Sequence, residues 1–182
     1  MIDPKAGALL IADPFLKDPN FLRTVVFLCE HREDGSFGFV LNRPYENTLD
    51  ELLPGVHQQF PVFYGGPVQK DSIHFIHQYP VEIPGGTEVV DGVYWGGDFS
   101  RLVEMLKNGE IEERKIRFFI GYSGWSAGQL EEEIKEKTWL TADATRRLLF
   151  HPDTGDIWKE SLRHLGGEYE LMINYPIDPQ LN

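Results

Sequence analysis

The sequence predicts an α+β fold, a single domain over residues 1–182 built on hairpins and a mixed sheet. Three observations predict it. Runs of β-branched and aromatic residues dominate the first half. Helix-spaced apolar residues interleave with them in the second half, without the regular strand–helix alternation of a parallel sheet. The 18 glycines and 12 prolines are spread along the chain, which suits many short elements joined by tight turns. At 182 residues and 41% hydrophobic, the chain is long enough to bury a core without a disulfide or a metal.

Each element follows in order. Leu9 to Ala12 is a short apolar run, read as a buried strand. Asp13-Pro14 and Asp18-Pro19-Asn20 are turns. Thr24 to His31 and Phe37 to Leu41 read as two strands of a hairpin turning at Glu33 to Ser36, with Pro44 ending the second. Thr48 to Glu51 has the capping-box spacing for a short helix stopped by Pro54-Gly55. Val62 to Tyr64, Ile73 to Tyr79 and Glu88 to Trp95 read as further strands. Asp98 caps a helix carrying Phe99, Leu102, Val103 and Leu106, closed by Asn108-Gly109. Ile116 to Tyr122 is hydrophobic enough for a central strand. Ser126 to Gln129 offers a second capping box for a helix through Lys135, with Glu131 to Glu133 in its first turns, where the helix dipole favours carboxylates. Thr138 to Leu140 reads as a short strand and Thr141 as the cap of a helix ending near Phe150. Asp153 or Thr154 caps a last helix with Ile157, Trp158, Leu162 and Leu165; the tail from Tyr169 reads as irregular.

Charge narrows the function classes. Lys plus Arg is 17 against 29 Asp plus Glu, a net charge of −12, and the surplus is spread over both halves. Counterion release from basic clusters drives nucleic-acid binding, so direct binding to nucleic acid is not expected. Attachment to an anionic membrane is not expected either. No run reaches the ~20 apolar residues of a membrane helix. The start has no basic region before its apolar stretch, so no secretion signal is expected. The single cysteine, Cys29, reads as a buried thiol of a cytoplasmic protein.

Four constellations bear chemistry. Gly121-Tyr122-Ser123-Gly124-Trp125 joins a strand to a capped helix. It resembles the G-x-S-x-G elbow of serine hydrolases, but Trp125 replaces the last glycine. The same loop reads as a glycine bend whose Trp125 packs and whose Ser126 caps, with Gln129. Its free N–H groups also suit an anion. Arg23 and Asn42-Arg43 lie at one end of the hairpin, where two guanidiniums could grip a carboxylate or phosphate. The alternative is that each pairs with one of the many acids. His74 and His77, three apart on a strand, point to opposite faces, whereas Cys29 and His31 share one. Neither pair has the spacing of a metal site, so no metal and no cofactor is expected. Tyr94, Trp95, Tyr122 and Trp125 lie near turns among glycines and acids and read as packing.

The ordered motifs resemble one family. Gly7-x-Leu9-Leu10-Ile11-Ala12-x-Pro14, Asp18-Pro19-x-Phe21-x-Arg23-Thr24, Gly38-x-Val40-Leu41-Asn42-Arg43-Pro44, Gly65-Gly66-Pro67-Val68, Gly92-x-Tyr94-x-Gly96-Gly97-Asp98 and Gly121 to Ile134 resemble the bacterial YqgE/AlgH family across nearly the whole chain. The resemblance implies a cytosolic bacterial protein with a largely antiparallel, partly barrel-like sheet flanked by helices. It also implies that the Asn42-Arg43, Gly65-Gly66-Pro67 and Gly121–Gln129 segments matter together. One member's name implies transcriptional control of the exopolysaccharide alginate. The resemblance brings no catalytic residues. The resulting expectation is a non-enzymatic module that binds a small anionic ligand or a protein partner. Its candidate residues are Arg23, Asn42, Arg43, Ser123, Trp125, Ser126 and Gln129. The alternatives are a transcriptional regulator and a hydrolase with Ser123 as nucleophile.

Overall fold

Alternation along the strands builds three cores around one curled sheet. A computed structural model describes residues 1–176. The strands are β1 (Ala8–Ala12), β2 (Val25–Arg32), β3 (Gly35–Val40), β4 (Pro44–Thr48), β5 (Pro61–Tyr64), β6 (Val68–His77), β7 (Thr87–Val90), β8 (Val93–Trp95), β9 (Ile116–Ser126) and β10 (Trp139–Asp143). The helices are α1 (Leu49–Leu52), α2 (Phe99–Lys107), α3 (Gln129–Lys135), α4 (Arg146–Leu149) and α5 (Ile157–Leu165). The main order is β10-β1-β2-β3-β9-β6-β8-β7, with β4 on β5 and β5 parallel to β9. The fold is a mixed α+β domain with a largely antiparallel sheet, as the sequence predicts.

The sheet curls into a half-barrel. Its first and last strands do not pair, yet β7 returns against the chain entering β1: a Cβ on Gly7 would lie 2.8 Å from Val90 Cγ1. Inside the curl sit Leu9, Ile11, Phe27, Cys29, Phe39, Ile76 and Phe119, closed by Trp158 and Leu162 of α5. Outside, Phe75, Phe118 and Ile120 pack on α2 through Leu102 and Leu106. On the other flank Leu10, Val26 and Val40 pack on Leu130 of α3. Adjacent residues of β1 and of β9 thus enter different cores, as the two-residue period requires. Among the described residues no helix is long and apolar enough to cross a membrane.

Several local expectations change. Pro44 starts β4 instead of ending the hairpin; β4 pairs only with β5, and an edge strand tolerates a residue without an N–H. Asp91-Gly92 splits the run from Glu88 to Trp95 into two strands. Thr141 is a strand residue bonded to Ile2, and the α4 cap is Thr145, which accepts from the Leu148 N–H at 3.3 Å. Residues Gly167–Asn174 form a 3₁₀ segment, and the rest of the expected irregular tail lies partly outside the described residues. The Asp98 cap holds: its carboxylate accepts from the Arg101 N–H at 3.1 Å. A bulge at Cys29 separates it from His31. The thiol enters the curl, while His31 turns to α3 and meets Glu131 at 3.1 Å.

Candidate functional site: an aromatic cleft at the mouth of the curl

The crossing of two glycine segments sets the geometry of the site. Gly65 donates to the Ile120 carbonyl at 2.8 Å and accepts from the Val40 N–H at 2.9 Å. Gly66 presses on the Tyr122 backbone: an added Cβ would lie 2.2 Å from its carbonyl atoms. Two of the three motifs that the resemblance groups, Gly65-Gly66 and Gly121-Tyr122, therefore meet as a backbone crossing. Gly121 has φ +69°, a left-handed conformation suited to glycine. In β9, Phe119 faces the curl and Ile120 faces out. Strict alternation would send Gly121 inward and Tyr122 outward. The turn at Gly121 resets the order, and Tyr122 packs against the inner core.

Tyr122 then forms one wall of a cleft of about 590 Å³. Phe37 and Phe39 of β3, His74 of β6 and Trp95 of β8 supply the others. The rings meet edge to face: Phe37 lies 4.7 Å from Trp95 and 5.9 Å from Tyr122, and His74 lies 6.0 Å from Tyr122. Glu30 and Asp34 add carboxylates to the lining. One polar atom among these walls is left over: His74 Nε2 is buried without a hydrogen-bond partner among the described residues. An unpaired buried polar atom costs about 1–3 kcal/mol, and such atoms call for a reason.

Burial pushes the His74 pKa below its usual 6.5. Burial also pushes His77 down. His77 lies across the strand, where Nδ1 accepts from the Tyr79 N–H at 3.0 Å and Nε2 meets the Gly96 carbonyl at 2.8 Å. That pattern fixes a neutral imidazole with its proton on Nε2. In the unfolded chain both rings protonate near 6.5, while in the folded chain they resist. The stability these neutral rings confer is therefore complete above 6.5 and is lost as pH falls through the window below it. The melting temperature is expected to drop between about pH 7 and about pH 5, and His74→Phe is expected to flatten that slope. Melting curves across this range check it; an unchanged slope in His74→Phe counts against the protonation account.

The sequence-derived candidates divide. Trp125 lines the cleft from its far side, and Gly124 joins it. Its indole N–H donates to Glu133 at 2.7 Å, and Trp139 donates to the same oxygen at 3.0 Å. Ser123 is fully buried, and its hydroxyl donates to the Gly65 carbonyl at 3.1 Å. A buried hydroxyl engaged in this way is closed to substrate. Ser126 and Gln129 make half of a capping box: the Gln129 side chain accepts from the Ser126 N–H at 3.0 Å, while the N-cap position of α3 falls to Gly128 instead of Ser126. Asn42 ties β3 to β2, accepting from the Val25 N–H at 3.0 Å and donating to the Arg23 carbonyl at 2.9 Å. Arg43 reaches the Leu22 carbonyl at 3.4 Å. Arg23 lies 4.5 Å over the Trp158 ring and donates to the Tyr175 carbonyl. Neither arginine lines the aromatic cleft.

Sequence reasoning missed Phe37, Phe39 and His74 as site residues. Trp95 and Tyr122, read as packing, do pack, but they also form open walls. Only their position beside glycine turns hinted at this. Among the described residues no cluster of His, Cys, Asp or Glu is arranged to hold a metal ion.

Relatives share this architecture. A UPF0301 protein of Chlorobium limicola is 48% identical over 179 residues, covering 98% of this chain and 96% of its own. One from Cytophaga hutchinsonii is 40% identical and covers 97% and 98%. The solution structure of the AlgH protein from Pseudomonas aeruginosa aligns with a TM-score of 0.75 at 29% identity, over 97% of this chain and 98% of that one. A crystal structure of a Corynebacterium diphtheriae protein, 22% identical, aligns at 0.79 over 96% and 94% and shares the fold. The family model described as DUF179, AlgH-like, matches residues 9–170. With motifs, fold and relatives in agreement along almost its full length, the chain belongs to the AlgH-like family.

Proposed function

We propose that this chain is a non-enzymatic binding module of the bacterial cytoplasm whose ligand presents a flat, neutral or cationic heteroaromatic group to the cleft between β3, β6, β8 and β9. The observation that carries this reading is His74 Nε2, an unpaired polar atom among aromatic walls. A planar ring stacks or packs edge-on against such walls, and a turn of the half-buried His74 ring about its Cβ–Cγ bond brings Nε2 to the cleft, where a ring nitrogen or amino group completes its hydrogen bonding. Asp34 in the lining favours a cation and opposes an anion, while the Glu30 carboxylate is already paired with Arg32. The anionic ligand expected from Arg23 and Arg43 therefore does not suit this cleft. Ser123, buried and bonded, supports a binding role over hydrolysis. The unpaired, buried Cys29 is compatible with a reducing compartment.

The test is a titration of flat heteroaromatic fragments, cationic, neutral and anionic, followed by amide shifts of the full chain. Cationic and neutral members are expected to shift Tyr122, Phe37 and Gly124. Phe37→Ala removes a half-buried wall and is expected to weaken binding about tenfold. His74→Phe keeps the wall but deletes the polar atom, with a loss of about five- to tenfold. Preference for anions, or binding by both variants as tight as that of the unaltered chain, would contradict the proposal.

A further inference from the structure

Arg117 is the most buried arginine described, 7% exposed, and it has no carboxylate partner among the described residues. The exposed Arg32, Arg114, Arg147 and Arg163 and the half-buried Arg101 each pair with a glutamate. In a chain with 29 acids the inverted pattern stands out. Burying a guanidinium without a counterion is costly, and removing one partner of such a pair is among the more destabilising changes known. The Arg117 guanidinium makes three hydrogen bonds, all to backbone carbonyls. Nη1 donates to Glu113 at 3.1 Å and to Ile116 at 3.1 Å, and Nη2 donates to His151 at 2.9 Å. Of its five N–H groups, the one on Nε and one on Nη2 have no acceptor among the described residues.

This side chain lines a second cleft, of about 430 Å³, at the opposite end of β9 from Tyr122. Pro61 and Phe63 of β5 form one wall, and Phe150 and Thr154 form the other. The Phe150 ring centre lies 5.9 Å from the guanidinium carbon. The cleft is thus mostly apolar, with one buried cation in its lining and the exposed, opposite charges of Glu113 and Arg114 beside it. Burial pushes the Arg117 pKa down, and Glu113 offsets part of that fall through space.

We propose that this cleft binds a small organic monocarboxylate, with both carboxylate oxygens on the Nε and Nη2 donors of Arg117 and an apolar body against Pro61, Phe63 and Phe150. Two donors on one guanidinium edge match the two oxygens of a planar carboxylate. A phosphate dianion, with three outer oxygens, would find too few donors and would lie near Glu113. The apolar walls reward a hydrocarbon body and give inorganic phosphate nothing. The site is separate from the aromatic cleft, so the two can be occupied independently.

Benzoate is the probe, with inorganic phosphate as its comparison, added to the full chain and followed by amide and arginine Nε–H signals. Benzoate is expected to give saturable shifts at Thr154, Phe150 and the Arg117 Nε–H. Arg117→Lys keeps the charge but loses the two-donor edge, and is expected to weaken benzoate at least about tenfold. Thr154→Phe fills the half-buried mouth without touching Arg117, and should abolish the shifts even if Arg117→Lys proves poorly folded. Phe37→Ala should leave benzoate binding unchanged. Absence of saturation, shifts centred elsewhere, phosphate binding more tightly than benzoate, or unchanged binding in Thr154→Phe would each overturn the proposal.

Discussion

Gly121→Ala is expected to destabilise the protein by about 3–5 kcal/mol, enough to unfold much of a domain whose total stability is of order 5–15 kcal/mol. Two independent effects add. At φ +69° an alanine pays the left-handed strain. Its Cβ would also lie 2.4 Å from the Gly66 carbonyl oxygen and 2.9 Å from that of Val68. Both are backbone atoms of the crossing and cannot swing aside. Gly128→Ala is the internal control. Its φ is +77°, yet nothing lies within 4 Å of an added Cβ. It should cost only about 1 kcal/mol. Urea unfolding of both variants separates strain from collision. Equal losses would mean that the crossing relaxes easily and does not fix Tyr122.

Phe119→Ala is expected to cost about 3–5 kcal/mol, the range for a large aromatic removed from a packed core. Phe119 is fully buried and stacks on Phe39 with centroids 4.8 Å apart and planes 11° apart. It pairs with Phe63 in β5 and with His74 in β6, so one ring joins three strands. Because Phe39 is also part of the cleft lining, the cavity left behind opens beneath the candidate site. The variant should therefore lose fragment binding along with stability. Phe37→Ala, at a half-buried ring, should lose binding with a much smaller change in unfolding midpoint. Chemical denaturation of the two variants alongside fragment titration checks this separation. A similar midpoint for Phe119→Ala and wild type would contradict the placement of this ring at the centre of the inner core.

The parts of the fold that were legible in the sequence are local. The β2–β3 hairpin announces itself by two β-rich runs around a turn. The Asp98 cap and the Asn108-Gly109 stop bracket α2 by side-chain chemistry acting within one helical turn. The hydrophobic run of β9 reflects a central strand covered on both faces, Phe119 in the inner core and Phe118 and Ile120 in the outer one. What failed depended on partners far along the chain. Pro44 starts a strand only because β5 supplies an edge. Thr145 outcompetes Thr141 because β10 pairs with β1 through Asp143, so the helix begins later. The Cys29 bulge, which parts Cys29 from His31, is a register shift against β3 that spacing cannot show.

The site was legible in its glycines and not in its walls. Gly65, Gly66 and Gly121 stood out as motifs, and the structure brings them together. Their role is a close backbone approach that aims Tyr122, which is one step removed from any ligand. Asn42 likewise acts as a strand clamp. Phe37, His74 and Trp95 come from three strands separated by dozens of residues, and no local pattern distinguishes them from ordinary core residues. Arg117 was hidden for a related reason. Its significance lies in the missing carboxylate, and an absence of pairing has no sequence signature.

The most direct test of the central claim is a crystal structure of the full chain with the strongest heteroaromatic fragment from the titration. The ring is expected between Phe37 and Tyr122, with a nitrogen at hydrogen-bond distance from Nε2 of a turned His74 ring and any positive charge toward Asp34. A fragment bound elsewhere with the aromatic cleft empty, or one seated there with His74 Nε2 still unpaired, would contradict it.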